Sequence, residues 1–293
     1  MRLGEKIKKR RKEIKMTQAE LAEGICTQAM ISRIEKKKVR PSRDLIEKVA
    51  ERLDVSVHYF YGEDSVDSRY SKLDQLNKMI RKHMERKEYD SVSYLMKENE
   101  TVIAQSSGEH KYFFNWIDAL LLCYQDGDEE ESLLRLVEIE KGVKHGDLRL
   151  EIIDSIGQLY MRKKEYQKAE TYYKEGVLSF TDWMDVKTKA LLLLHYVMCL
   201  FNQLKYEKSL EIVFSGLDLL VNHGMLYLLG DFFYYKGHCL EHLYQQEEAI
   251  DAYEKAYTLF DIQQNEKFTL LLKIAQANLK KQTKKADTFE AEN

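Results

Sequence analysis

Hydrophobic positions recur every three or four residues along almost the whole chain, which is the spacing of amphipathic helices. Over residues 3–15, Leu3, Ile7 and Ile14 fall on one face and Lys8, Lys9, Arg10 and Lys12 on the other, predicting a first helix with a basic outer side. Thr17, with Glu20 three residues on, has the form of a capping box opening a short second helix. Leu21 and Ala22 give that helix an apolar face, and Gly24 lets it stop. Thr27 suits the N-cap of a third helix, in which Met30, Ile31 and Ile34 point inward and Gln28, Ala29, Ser32 and Arg33 outward. Pro41 and Ser42 start a fourth through Leu45, Ile46, Val49 and Leu53. Val55–Tyr61 predicts a short fifth helix ended by Gly62, after which a polar linker begins at Glu63.

Beyond Tyr70 the pattern repeats. Small or apolar residues Val92, Ser132, Ala169, Ser209 and Ala249 stand at intervals of 40, 37, 40 and 40, and in the last three copies an aromatic or Val follows each by four. Gly157, Val197 and Gly237 precede three of these markers by twelve. Small residues at fixed helical positions let paired helices approach closely while aromatics fill the neighbouring gap. The pattern resembles the tetratricopeptide repeat, in which helical hairpins stack into a solenoid with a concave inner face. We count about five hairpins and a further helix over Asn265–Lys281 that caps the last one. The expected fold is all-α: a five-helix domain over 1–62, a linker at 63–70, a right-handed tetratricopeptide-like solenoid over 71–281 and a polar tail over 282–293.

Composition agrees. One proline, Pro41, in 293 residues leaves helices uninterrupted almost throughout. The four cysteines, Cys26, Cys123, Cys199 and Cys239, have no zinc or redox spacing and read as reduced thiols of a cytoplasmic protein. Neither a signal peptide nor a membrane span is legible. The net charge of −3 hides an asymmetry: residues 1–62 hold 16 Lys and Arg against 9 Asp and Glu, the remainder 30 against 40. One end of the chain is therefore built for a polyanion and the other is repelled by it. Phosphate-binding glycine loops, nucleophile elbows and paired-histidine metal motifs are missing, so neither an enzyme nor a cofactor is expected. His238 and His242 stand four apart without an acidic or thiol partner at ligand spacing, and the acidic run at 126–131 lacks calcium-loop spacing.

The outward residues of the third helix carry chemistry. Gln pairs bidentately with adenine, Arg with guanine, and an Ala methyl meets thymine's; Gln28 and Ser32 also suit an ordinary exposed helix surface, but motif, capping and charge together favour DNA. The run from Thr17 to Ser42 resembles the lambda-repressor-like (Xre-type) helix-turn-helix domain, with Ile25-Cys26 where that family has its turn glycine. This resemblance implies that Gln18 holds a phosphate, that Thr27, Gln28, Ala29, Ser32 and Arg33 meet bases, and that Arg11 pairs with Glu35. Lys36, Lys37, Lys38 and Arg40 form a basic loop suited to clamping the DNA backbone.

The two parts together are similar to the peptide-pheromone-responsive (RNPP) regulators of Gram-positive bacteria, the PlcR, PrgX and Rgg type. Locally, Ser32-Arg33-Ile34-Glu35 and the Tyr-Glu-Lys-Ser-Leu at 206–210 are closest to the PlcR-like branch. What this implies is a cytoplasmic homodimeric transcription regulator of quorum sensing. It would bind a double-stranded operator of two half-sites and a short signalling peptide in the concave groove, and would not associate with membranes. By the repeat resemblance the groove is lined by Asn77, Arg81, Tyr124, Gln158, His195, Met198, Phe201, Tyr234 and His238, with Asp154, Met161, Leu194 and Glu241 beside them and Met84, Ile117 and Leu121 upstream. His195 falls where the family has an asparagine that grips peptide backbone, and Arg81 suits a peptide's C-terminal carboxylate. A hydrophobic ligand of about five to eight residues in extended form follows. Two other readings stay open: a solenoid that docks a protein partner, and an interaction scaffold with a vestigial helix-turn-helix.

Overall fold

The computed structural model describes residues 3–36, 39, 41–53, 67–143, 146–181 and 184–264. The expected helices at 55–61 and 265–281, residues 63–66 of the linker and the polar tail lie outside them. The chain divides into two compact units, Met1–Lys82 and His83–Asn293.

In the first unit α1 (Leu3–Glu13), α2 (Gln18–Ala22), α3 (Gln28–Glu35) and α4 (Arg43–Arg52) enclose Ile7, Leu21, Ile31, Ile34, Ile46, Val49 and Leu53. Each start has its cap. Thr17 and Glu20 form the reciprocal box, Thr27 Oγ1 accepts from the Met30 amide, and Ser42 Oγ from that of Leu45. Gly24, at φ +69°, supplies the left-handed turn between α2 and α3, two residues ahead of Cys26. Two details differ from the sequence pattern. Because α1 ends at Glu13, Ile14 leaves the helical face and is exposed, and Lys15 follows in the left-handed region. Arg10 turns back instead of outward, its Nε donating to the Leu53 carbonyl at 3.1 Å.

α5 (Asp67–Glu85) begins inside the stretch expected as linker, and the division between the units falls within it. Leu73, Leu76 and Ile80 form its buried stripe, which is why the helix extends through otherwise polar sequence. The second unit continues as α6 (Tyr89–Glu98) with the short α7 (Glu100–Ala104), then α8 (Glu109–Leu121), which runs into a π-helical turn over Leu122–Asp126. After it come α9 (Glu129–Gly142), α10 (Asp147–Arg162), α11 (Tyr166–Leu178), α12 (Val186–Asn202), α13 (Tyr206–Asn222), α14 (Leu229–His242) and α15 (Gln246–Ile262).

All five spacing markers are the fourth residue of the second helix of a hairpin, and all are 0% exposed. Ser132 and Ser209 donate to the carbonyls of Ala119 and Val197 on the partner helix, so the small residue also satisfies its own hydroxyl. At Gly157 and Gly237 an added Cβ would overlap the rings of Tyr173 and Tyr253. Each hairpin turns through a left-handed residue two positions before its second helix: Lys87, Gly127, Lys164, Leu204 and Tyr244. Gly127 and Asp128, which accepts from the Glu131 amide, make the acidic run a helix cap.

Among the described residues the first helices of successive hairpins pack on one another, α8 on α10, α10 on α12 and α12 on α14, and the second helices form no comparable series. The first helices therefore make the shorter, inner wall of the curve. No described helix is long and apolar enough to cross a membrane.

Candidate functional site

On α3 the side chains sort as helical spacing requires. Thr27, Gln28, Ala29 and Arg33 are exposed, Ser32 is half-buried, and Ile31 and Ile34 face the core. Lys36 is exposed beyond the helix end, while Lys37, Lys38 and Arg40 lie outside the described residues. What holds the helix in place is a buried charge network. Arg11 Nε and Nη2 donate to the two Glu35 carboxylate oxygens at 2.7 and 2.9 Å, and Arg11 Nη1 donates to the Met16 carbonyl. Gln18 Nε2 joins at 2.7 Å. Gln18, expected on a phosphate, thus commits one amide hydrogen to an internal partner. Burial alone would raise the Glu35 pKa, but the hydrogen bonds from Arg11 and Gln18 outweigh it and hold the carboxyl below its usual range. The same pairing raises Arg11 further. One element was not legible in sequence: Arg52 donates to the Glu20 and Glu23 carbonyls at 2.9 and 3.0 Å, tying the end of α2 to α4. A lone arginine at the end of an amphipathic helix gives no signal of that role. The result is a rigid helix presenting an amide, a methyl and a guanidinium along one exposed edge, the chemistry of major-groove readout.

The inner wall of the repeats gathers most of the remaining candidates. At its centre is Asp154, on α10 and 7% exposed. Gln158 Nε2 reaches its Oδ2 at 2.8 Å and His195 Nδ1, from α12, its Oδ1 at 2.7 Å. Burial works to lower the His195 pKa, and the adjacent Asp154 charge and hydrogen bond overcome it, so the net shift is upward. Phe201, Tyr234 and His238 meet in one aromatic cluster. His238 lies 4.4 Å from the Tyr234 ring and 5.9 Å from Phe201, each edge to face. Tyr206 and His242 stack at 4.4 Å beside it, and Tyr253 donates to Glu241 at 2.7 Å. Burial lowers the His238 pKa. His238 and His242 are both engaged in ring contacts. Met198 is half-buried on the same helix as His195 and Phe201.

Other candidates are placed differently. Tyr124 sits on the π-helical turn, stacks on Tyr89 at 4.9 Å and has its pKa pushed up to about 12, chiefly by burial. Ile117 and Leu121 are buried between helices, as α8 packs against both α9 and α10. Asn77 and Arg81 lie in the first compact unit, where Arg81 Nε donates to Asn77 Oδ1 at 2.8 Å. These positions fall in the first two repeats, whose markers are degenerate, so spacing fixes them less closely than those further along. Tyr227, just before α14, has its pKa raised by burial and then by the charges of Glu85, Asp231, Asp154 and Asp185.

Residues 73–280 match the RNPP family C-terminal domain, and residues 7–60 a helix-turn-helix family. Among solved structures, the chain is similar to Bacillus thuringiensis PlcR in complex with the peptide PapR7 and DNA, at 25% identity and a TM-score of 0.63, covering 92% of this chain and 98% of that one. ComR from S. thermophilus, in complex with DNA and its signalling peptide ComS, shares the fold at 19% identity and a TM-score of 0.53, with 94% and 99% covered. So does the Streptococcus dysgalactiae SHP pheromone receptor Rgg2 at 16% identity and a TM-score of 0.54, with 94% and 98% covered. No curated protein sequence matches the chain.

Proposed function

The chain belongs to the RNPP family, and on that premise we propose that it is a DNA-binding transcriptional regulator whose repeat domain dimerises and holds a short signalling peptide. The observation that carries this reading is the coexistence of a pinned α3 with an open polar edge and an inner wall lined by aromatic rings and amides. Gln28, Ala29 and Arg33 read base edges, and Thr27, Ser32 and Gln18 support them at the groove margin. Lys36, with Lys37, Lys38 and Arg40, neutralises phosphate. A domain of about 62 residues covers too little duplex to be selective alone, so two copies joined through the repeats read two half-sites. PlcR, bound to both peptide and DNA, supports the same pairing of ligands.

On the inner wall, Phe201, Tyr234, His238 and Met198 offer an apolar surface while Gln158 and His195 offer hydrogen bonds. That mixture suits an extended peptide with unsatisfied backbone groups better than a flat folded partner. Selection of randomised duplexes by the full-length protein tests the reading. Enrichment of a two-fold-related motif, with affinity altered by short synthetic peptides, is the expected result, and no enrichment over random duplex overturns it. Sedimentation of the full-length chain at micromolar concentration reads the dimer.

A further inference from the structure

His195 differs from its neighbours on the inner wall in having one ring nitrogen fixed and the other open. Nδ1 is held by Asp154 Oδ1 at 2.7 Å, and Asp154 is itself fixed through its second oxygen by Gln158 at 2.8 Å. The Nε2 atom has no protein partner among the described residues and is not sealed from solvent. Since α11 and α13 cover the outer side of α12, the solvent reaching Nε2 is that of the inner wall. The imidazole is thus oriented by a buried carboxylate on the preceding hairpin, and its free end is aimed where a ligand would lie.

We propose that Asp154 is a positioning residue that turns His195 into a fixed hydrogen-bond donor, through Nε2–H, for a backbone carbonyl of the extended peptide. This rests on the peptide-binding reading above. A carbonyl fits better than a carboxylate, because Asp154 at 2.7 Å already balances the imidazolium charge. A backbone carbonyl also occurs in any peptide, so the contact supplies grip without selecting sequence.

The donor exists only while His195 is protonated, because with Nδ1–H held by Asp154 a neutral ring leaves Nε2 as an acceptor. Its pKa lies above the ordinary histidine value, and a carbonyl bound at Nε2 raises it further. Affinity is therefore greatest below the pKa of the free chain and declines as pH rises through it, by up to tenfold per unit for one linked proton. The ionisable groups on this side are otherwise carboxyls, tyrosines and the α14 histidines His238 and His242, whose contribution His195→Asn leaves in place. Asp154 belongs to α10, Tyr173 of α11 and Tyr227 are raised above the usual tyrosine value, Asp231 of α14 is a carboxyl, and His238 is lowered. The acidic residues of α13, Glu207, Glu211 and Asp218, are exposed.

The probe is a heptapeptide selected from a randomised seven-residue library on the full-length protein. Calorimetry from pH 6 to 9 compares wild type with His195→Asn and Asp154→Asn, alongside NMR titration of the histidine rings in the free chains. Wild-type affinity should fall at least tenfold across the range. His195→Asn, which keeps an amide donor that cannot titrate, should bind with a flat pH profile. Asp154→Asn should lower the His195 pKa and cost at least tenfold in affinity at pH 7.5, with partial recovery in acid. A pH slope that persists in His195→Asn, a flat wild-type profile, or a His195 pKa unmoved by Asp154→Asn each overturns the proposal. Failure to select any peptide, with the ring titration as expected, instead removes the peptide reading and the donor role with it.

Discussion

Arg11 and Glu35, twenty-four positions apart, meet through two parallel hydrogen bonds of 2.7 and 2.9 Å at the point where α1 crosses the end of α3. Both side chains are almost wholly withdrawn from water. Such a pair fixes geometry more reliably than it adds stability, because desolvation cancels much of the attraction. Removing one partner is another matter. Glu35→Ala should cost about 3–5 kcal/mol by stranding the guanidinium, whereas Arg11→Met combined with Glu35→Leu should cost far less. Amide exchange of α3 in the two variants checks the contrast, and equal losses would mean that the pair is not the pin.

Readout and phosphate clamping predict different signatures. Arg33→Ala or Gln28→Ala should lose about 1–3 kcal/mol and relax preference at one base position. Lys36→Ala should weaken all duplexes alike and flatten the salt dependence. Binding to a panel of single-base operator variants at two salt concentrations separates them.

Acid should loosen the repeats through Glu170. Burial opposes its ionisation, yet hydrogen bonds from Lys205, Lys174 and Gln203 prevail and bring its pKa down to about 2. A carboxyl depressed on folding stabilises the native state above its unfolded pKa, and that contribution disappears as pH falls from about 4.5 towards 2. The contribution is up to roughly 3 kcal/mol. In Glu170→Gln the melting temperature should respond less to pH across that interval than in wild type.

Helix approach within the hairpins can be tested at Gly157 and Gly237, where a methyl would overlap a tyrosine ring buried beneath it. Either substitution to Ala should destabilise by about 1–3 kcal/mol despite the better helix propensity of alanine. A gain in thermal stability would show that the rings can move aside.

How much of this was legible in sequence depended on whether the signal was periodic or positional. The markers at Ala169, Ser209 and Ala249 carried the hairpins because a small buried residue is needed wherever two helices cross closely, and Thr17, Glu20 and Thr27 gave the starts of α2 and α3 through their own side-chain chemistry. Arg11 with Glu35 was anticipated by family resemblance, and no periodicity would have paired them. Ile14 and Arg10 fell on plausible helical faces, but the helix stopped before one and the Leu53 carbonyl drew in the other. Spacing put Tyr124 on the wall but could not show its stacking on Tyr89, which depends on the π-helical turn at the end of α8. The partnership of Asp154 with His195 crosses two hairpins, and nothing in either helix announces it.

The left-handed residue at each hairpin turn has a consequence for how the chain acquires its shape. Lys87, Gly127, Lys164, Leu204 and Tyr244 reverse the backbone within a few residues, so each hairpin closes on contacts about a dozen positions apart. Closing such short loops is fast, and each finished hairpin offers a surface on which the next can form. Folding can then begin at any strong hairpin and spread outward like a zip. A lesion in one hairpin loosens its immediate neighbours first, leaving those further along closed.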